Sequence, residues 1–240
     1  MMKKYFLFFF LLFFIVCDSS DPENLELING LVAHYPFNGN ANDESGKENH
    51  GIVSGAILCI DRFSNLDEAY QFDGINDYIK IHSSDILNLV DDFSISLWIY
   101  PEENMLFSKS QGIIGKIETD AEGKNGYVLG HQHKLPDNII SFFTRYDSVS
   151  VATFPLSINE WYNIVMTYGS NILSIYVNKT LVSKVNNCPP PINTNVQLVI
   201  GRWYSNYDDY YFKGKIDDIR IYDRNLDLSE IKYLYNENGW

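Results

Sequence analysis

Short apolar runs broken by turn residues recur along the chain, and in the clearest of them apolar and polar residues alternate. In FSISLWIY, residues 93 to 100, Phe93, Ile95, Leu97 and Ile99 fall on one side and Ser94, Ser96, Trp98 and Tyr100 on the other. That is the period of a strand with two unlike faces. The run WYNIVMTYGSNILSIYVNKTLVSKV, from Trp161 to Val185, reads as a meander. Its turns fall at Gly169-Ser170-Asn171 and at Asn178-Lys179, where glycine and asparagine accept the positive φ that tight turns require. Further short runs are strand candidates: LVAHYPF, EAYQFDG, DYIKIH, GIIGKI, YVLGHQH, IISFFTRY, SVATFPL, VQLVIG and KIDDIRIYDR. Turn residues separate them and no strand-helix alternation intervenes, so the pattern predicts an all-β fold of two antiparallel sheets packed face to face.

The two ends depart from this period. Near the C-terminus Asp227 is followed three residues later by Glu230, the signature of a capping box, and Ile231, Leu234 and Tyr235 then share a helical face. One short terminal helix is expected. At the other end, a basic Met1–Lys4 precedes the unbroken apolar stretch Tyr5–Val16, and Cys17 and Asp18 follow. A dozen apolar residues rise only about 18 Å as a helix, short of the roughly 30 Å of a bilayer core. Residues 1–17 therefore read as a signal peptide. Residues 18–29 read as a short acidic tether and 30–240 as a single domain.

Composition supports a packed chain: 45% of residues are hydrophobic, 15% aromatic and 20% charged. Without Lys3 and Lys4 the mature protein carries 16 basic against 31 acidic residues, a net charge of −15. That balance argues against a nucleic-acid partner. Cys17 stands where the lipid-modified cysteine of a bacterial lipoprotein would stand, and it is the one expected route to a membrane. Cys59 and Cys188 remain in an exported chain, where they form a candidate disulfide if their Cα atoms come within about 4.4–6.8 Å.

Five segments occur in order: LVAHYPFNGNANDESGKENHG, AYQFDGINDYIKI, FSISLWIYP, WYNIVMTY and GKIDDIRIYDRNLDLSEIKYLYN. Together they resemble the laminin-G-like jelly-roll family of the concanavalin A-like lectin and glucanase fold, over Leu31–Asn236. The resemblance implies a jelly-roll sandwich acting as an extracellular, non-catalytic recognition module for carbohydrate or for a surface protein. It also implies a structural calcium between the N-terminal loop and the penultimate strand. Carried onto this chain, the ligands are Asn38, Gly39 and Asp43, with Asn49 or His50, closed by Asp217 and Asp218.

The residues lend that site a chemical reason. Calcium takes six to eight oxygen ligands at about 2.3–2.6 Å, and residues 38–51, NGNANDESGKENHG, are rich in short oxygen-bearing side chains. In GKIDDIRIYDR, Ile219 and Ile221 share a face but Ile216 breaks the alternation, so a bulge is expected to redirect an aspartate. A carboxylate turned into a sheet then needs a cation. The alternative is that Asp43, Glu44 and Ser45 form a solvated turn while Asp217 or Asp218 pairs with Arg62 or Arg220.

A ligand patch is expected in GRWYSNYDDYYFKG, residues 201 to 214, where Trp203, Tyr204, Tyr207 and Tyr210 stand beside carboxylates. Aromatic platforms next to polar groups suit sugars, while Phe212 and Tyr211 are assigned to packing. His131 and His133 share a strand face but lack a third ligand for a transition metal, and they are expected to form a polar rim. The Glu-x-Asp-x-x-Glu pattern of glucanases is absent. Asp67-Glu68 and Glu102-Glu103 are adjacent pairs that point apart on a strand, and Asp208-Asp209 falls in an expected loop, so no catalytic pair is expected.

Overall fold

The computed structural model describes residues 27–106, 109–120, 123–131, 136, 138–145, 148–150, 154–203 and 210–240. In chain order the strands are β1 (Leu31–Tyr35), β2 (Gly51–Ser54), β3 (Ile57–Cys59), β4 (Ala69–Asp73), β5 (Tyr78–Ile81) and β6 (Phe93–Pro101). Then come β7 (Gln111–Asp120), β8 (Gly123–His131), β9 (Ser141–Arg145), β10 (Ser148–Ser150), β11 (Tyr162–Gly169) and β12 (Ile172–Val177). The last are β13 (Thr180–Asn186), β14 (Leu198–Ile200), β15 (Arg202–Trp203), β16 (Tyr210–Tyr211) and β17 (Lys213–Tyr222), before helix α1 (Leu228–Asn236).

Two sheets form, as the alternation predicts. One runs β13-β12-β11-β6-β17-β4-β3 with β1 also against β17; the other runs β10-β9-β8-β7-β14-β5-β2, with the short β15–β16 flap beside β7. Pairing is antiparallel throughout except for one parallel contact of β16 with β7, at Tyr211 and Gly112. The core between the sheets takes Phe93, Ile95, Leu97 and Ile99 from β6, together with side chains from both layers. At about 1.5–3 kcal/mol for each fully buried large apolar side chain, this layer carries most of the favourable free energy of folding.

The outer face of the first sheet is covered as well. Helix α1 lies against it, with Leu27, Val165, Tyr222, Leu226, Ile231 and Leu234 forming a second apolar cluster. Leu27, within the stretch 18–29 expected as a tether, is therefore packed against the fold. The capping box is formed: Asp227 accepts from the backbone of Ser229 and Glu230, and Glu230 reaches back to the Asp227 N–H. Trp98, buried on this face, packs against Tyr235 and Trp240 with ring centroids 5.6 and 4.9 Å away.

Two details depend on local sterics or distance. Gly112 lies where residues 202–203 cross β7, and a Cβ there would sit 1.9 Å from the Trp203 nitrogen. Only glycine fits that crossing. Neither Cys59 nor Cys188 is in a disulfide. Cys59 lies on β3 at one edge of the first sheet, and Cys188 bonds to Asn171 at the turn between β11 and β12 near the other edge. At about 4.8 Å per strand spacing they are well over 15 Å apart, so the expected disulfide does not form.

Candidate functional site

The site grows from one irregularity in β17. Its first half, Lys213–Ile216, pairs with β4, and its second half, Ile219–Tyr222, pairs with β1 on the same side. Where the partner changes, the register to β6 slips between Asp217 and Arg220, and Asp218 adopts a φ of 43°. Ile216 and Ile219 both enter the core. The two residues between them are consequently both turned to the opposite face. The bulge that Ile216 announced in the sequence is present, and it redirects two aspartates rather than one.

Arg62, from the segment between β3 and β4, enters the gap left by the change of partner. Its Nη1 pairs with Asp217, and its Nη2 lies 3.4 Å from an Asp218 oxygen. The guanidinium carbon stands 4.6 Å from the Phe63 ring centroid and 4.7 Å from that of Trp98. These are cation–π distances, and the arginine side chain is 4% exposed. Asp218 also meets Arg220 at 3.2 Å and the His34 ring at 3.1 Å, while Arg220 continues to Glu237 at 2.7 Å.

Burial acts most strongly on Asp217 and, with the adjacent Asp218, pushes its carboxyl up to about 8 against the pull of Arg62. Burial opposes the charge of Asp218 too, but Arg220, His34 and Arg62 outweigh it and hold that carboxyl well below the ordinary range.

The opening loop reaches the same place by another route. Asp43 is buried, and its carboxylate accepts from the backbone N–H groups of His34, Ser45 and Asn49, each at 2.9 Å. His34 thus donates its amide to Asp43 and turns its ring to Asp218, joining the front of the chain to its end. Other residues of the expected site make hydrogen bonds as well. The Asn49 carbonyl accepts from Tyr35, the Asn49 side chain donates to Val32, and His50 accepts from the Asp43 N–H. The Asn38 carbonyl accepts from Asn40, and the Gly39 N–H donates to Asp67.

These contacts decide how the residues stand toward calcium. His34 ties the Asp43 loop to Asp218, and Asn38 lines the same cleft as Asp217 and Asp218, but the counter-charge to the aspartates is guanidinium. Among the described residues no cluster of three or more His, Cys, Asp or Glu side chains is arranged to hold a metal ion. The residues present do not fit calcium. Asp43 is buried rather than in a solvated turn, and its carboxylate is engaged by three backbone N–H groups that shape its loop.

Above the ion pairs lies a cleft of about 480 Å³, lined by Asn38, Glu44, Phe63, Asn65, Glu68 and Asn238 over a base of Arg62, Asp217, Asp218 and Arg220. Asp61 holds its shape by accepting from the backbone of Phe63 and Asn65 at 2.9 and 2.7 Å, and the Asn65 amide donates to Glu68 at 2.9 Å. Sequence reading missed Phe63, Asn65 and Glu68 as lining residues. The available signal was Asp61 with Asn65 four residues on, a short polar turn around an Arg-Phe pair.

The aromatic patch is placed differently. Trp203, on β15 of the flap and 3% exposed, packs on Ile117 and Val128. Tyr210 lies half-buried beside it, centroids 5.8 Å apart. Trp203 is packing rather than a ligand platform, and Phe212 is core as expected. Tyr204 and Tyr207 lie outside the described residues, as do His133 and Cys17. His131 is buried and not a rim residue, its ring nitrogens 2.8 and 2.9 Å from the carbonyl oxygens of Ile139 and Leu106.

Residues 73–232 match the laminin-G-like family model described as the concanavalin A-like lectin/glucanases superfamily, and the chain belongs to that family. Among solved structures, domain 4 of AbnA, a GH43 extracellular arabinanase from Geobacillus stearothermophilus in complex with arabinotriose, superposes with a TM-score of 0.66 at 20% identity. That match covers 85% of this chain and 98% of the domain. A botulinum neurotoxin type C structure, described as entering cells through interaction with two ganglioside molecules, gives 0.69 at 18% identity over 90% of this chain and 53% of that one. The binding domain of botulinum neurotoxin DC in complex with SialylT gives 0.68 at 17% identity, over 88% and 52%. The chain thus spans about half the length of the neurotoxin chains. No curated protein matches it in sequence.

Proposed function

We propose that the protein is a non-catalytic carbohydrate-recognition module acting outside the cell, and that the cleft beside the β17 bulge is its binding site. One observation carries the reading: a pre-formed cleft in which the Phe63 ring stands among amide and carboxylate side chains. Sugars offer C–H faces to stack on rings and hydroxyl groups to hydrogen-bond, so they suit such a lining. The likeness to a domain with arabinotriose bound supports it. Asp217 and Asp218, the buried carboxylates at the base, are tied to guanidinium groups and so are unavailable as an acid/base or nucleophile pair. The apolar stretch Tyr5–Val16 supports export, with Cys17 as the candidate lipid attachment.

Titration of neutral oligosaccharides, arabinotriose first, tests this. Asn65→Ala and Phe63→Ala are each expected to weaken binding roughly tenfold, about 1.4 kcal/mol. Unchanged affinity in both variants would remove the cleft from the account.

One observation favours a protein partner as a second reading. Edge strands β2 and β3 expose Ile52, Val53 and Ile57, the last at 64%, and Leu66 lies open nearby. Unpaired edges with apolar side chains suit strand addition by an extended peptide. If that reading holds, Ile57→Lys abolishes capture of the partner and leaves sugar binding intact.

A further inference from the structure

We propose that Arg62 is a built-in replacement for the divalent cation, so that the junction between the two ends of this fold is independent of metal. A divalent ion there would have to neutralise the aspartates of the β17 bulge and tie separate segments together. Arg62 does both. It contacts Asp217 and Asp218, and it brings the segment between β3 and β4 onto β17. Arg220 meets Asp218 as well and continues to Glu237, so each bulge aspartate is already paired with a guanidinium. A divalent ion placed among these groups would meet two guanidinium charges at short range.

The arginine is held where an ion would otherwise be needed. Phe63 and Trp98 stand at 4.6 and 4.7 Å from its guanidinium carbon, and it is nearly fully buried. Guanidinium is planar, is weakly hydrated, stacks on aromatic faces and presents a fork of donors to neighbouring carboxylates. A lysine would supply charge without the fork. Removing the guanidinium leaves buried Asp217 without its partner beside an Asp218 held by Arg220, an arrangement that invites a cation from solution.

The proposal has a direct test in thermal melting of the full chain in calcium and in EDTA, with terbium luminescence excited through Trp98 as a probe of the site. The wild-type protein is expected to melt at the same temperature in both buffers and to give no sensitised emission. Arg62→Met, which keeps an apolar stem between the two rings, is expected to melt lower in EDTA, to regain stability in calcium and to acquire terbium emission. Adding Asp217→Asn to that variant should abolish the emission. Arg62→Lys, which retains one positive charge, is expected to fold and to stay indifferent to calcium. A wild-type melting temperature that rises with calcium and falls with EDTA overturns the proposal. So does an Arg62→Met protein as stable as wild type in EDTA, or a calcium requirement in Arg62→Lys.

Discussion

Asp43 shows how one side chain can be conspicuous in a sequence for the wrong chemistry. Its carboxylate collects three backbone N–H groups in a buried setting. Asp43→Ala should destabilise the protein by about 3 kcal/mol, because buried donors lose a charged acceptor. The shift would be read from the urea midpoint and should be equal with and without calcium. Lys116 makes a second case, since nothing in GIIGKI marks it as buried. It is buried, and it donates to the carbonyls of Thr194 and Val196 at 2.6 and 2.8 Å. Burial pushes its pKa down to about 8, against the opposing pull of Asp85 and Glu118, from about 10.4 in an unfolded chain. Between those values the unfolded state binds more protons, so stability rises with pH. Urea midpoints should climb as pH goes from about 8 to about 10, and Lys116→Met should flatten that climb. A flat wild-type profile would contradict the assignment.

The elements were legible wherever a local rule governed them. Helix α1 was visible in Asp227 and Glu230, and Asp227→Ala should cost about 1 kcal/mol through loss of the cap. The β17 bulge was visible in Ile216, because a hydrophobic residue out of phase must still reach the core. What the sequence could not convey is that β4 and β1 meet the same side of β17 on either side of the bulge. That long-range fact opens the gap that Arg62 fills, so a guanidinium over a hundred residues away in sequence competes with the expected calcium. Trp203 was misplaced for a related reason. The β15–β16 flap folds it onto the outer face of the second sheet, and loop composition alone does not distinguish covered aromatics from open ones. Gly112→Ala tests that crossing: a Cβ against the Trp203 backbone should cost about 3 kcal/mol or more. Circular dichroism melts would register it.

At the scale of the molecule, the sandwich joins its first and last strands through His34, Arg62 and the bulge aspartates, and it places the polar cleft directly above that junction. Stability of the junction and shape of the cleft are therefore one property. If Arg62 supplies the positive charge, recognition does not wait on an ion and the site stays formed in a calcium-poor medium. The most direct measurement is a glycan array probed with the wild-type protein in calcium and again in EDTA, alongside Asn65→Ala. The account predicts the same bound sugars in both buffers and their loss in the variant. Binding that vanishes in EDTA and returns with calcium, or binding that persists undiminished in Asn65→Ala, would contradict it.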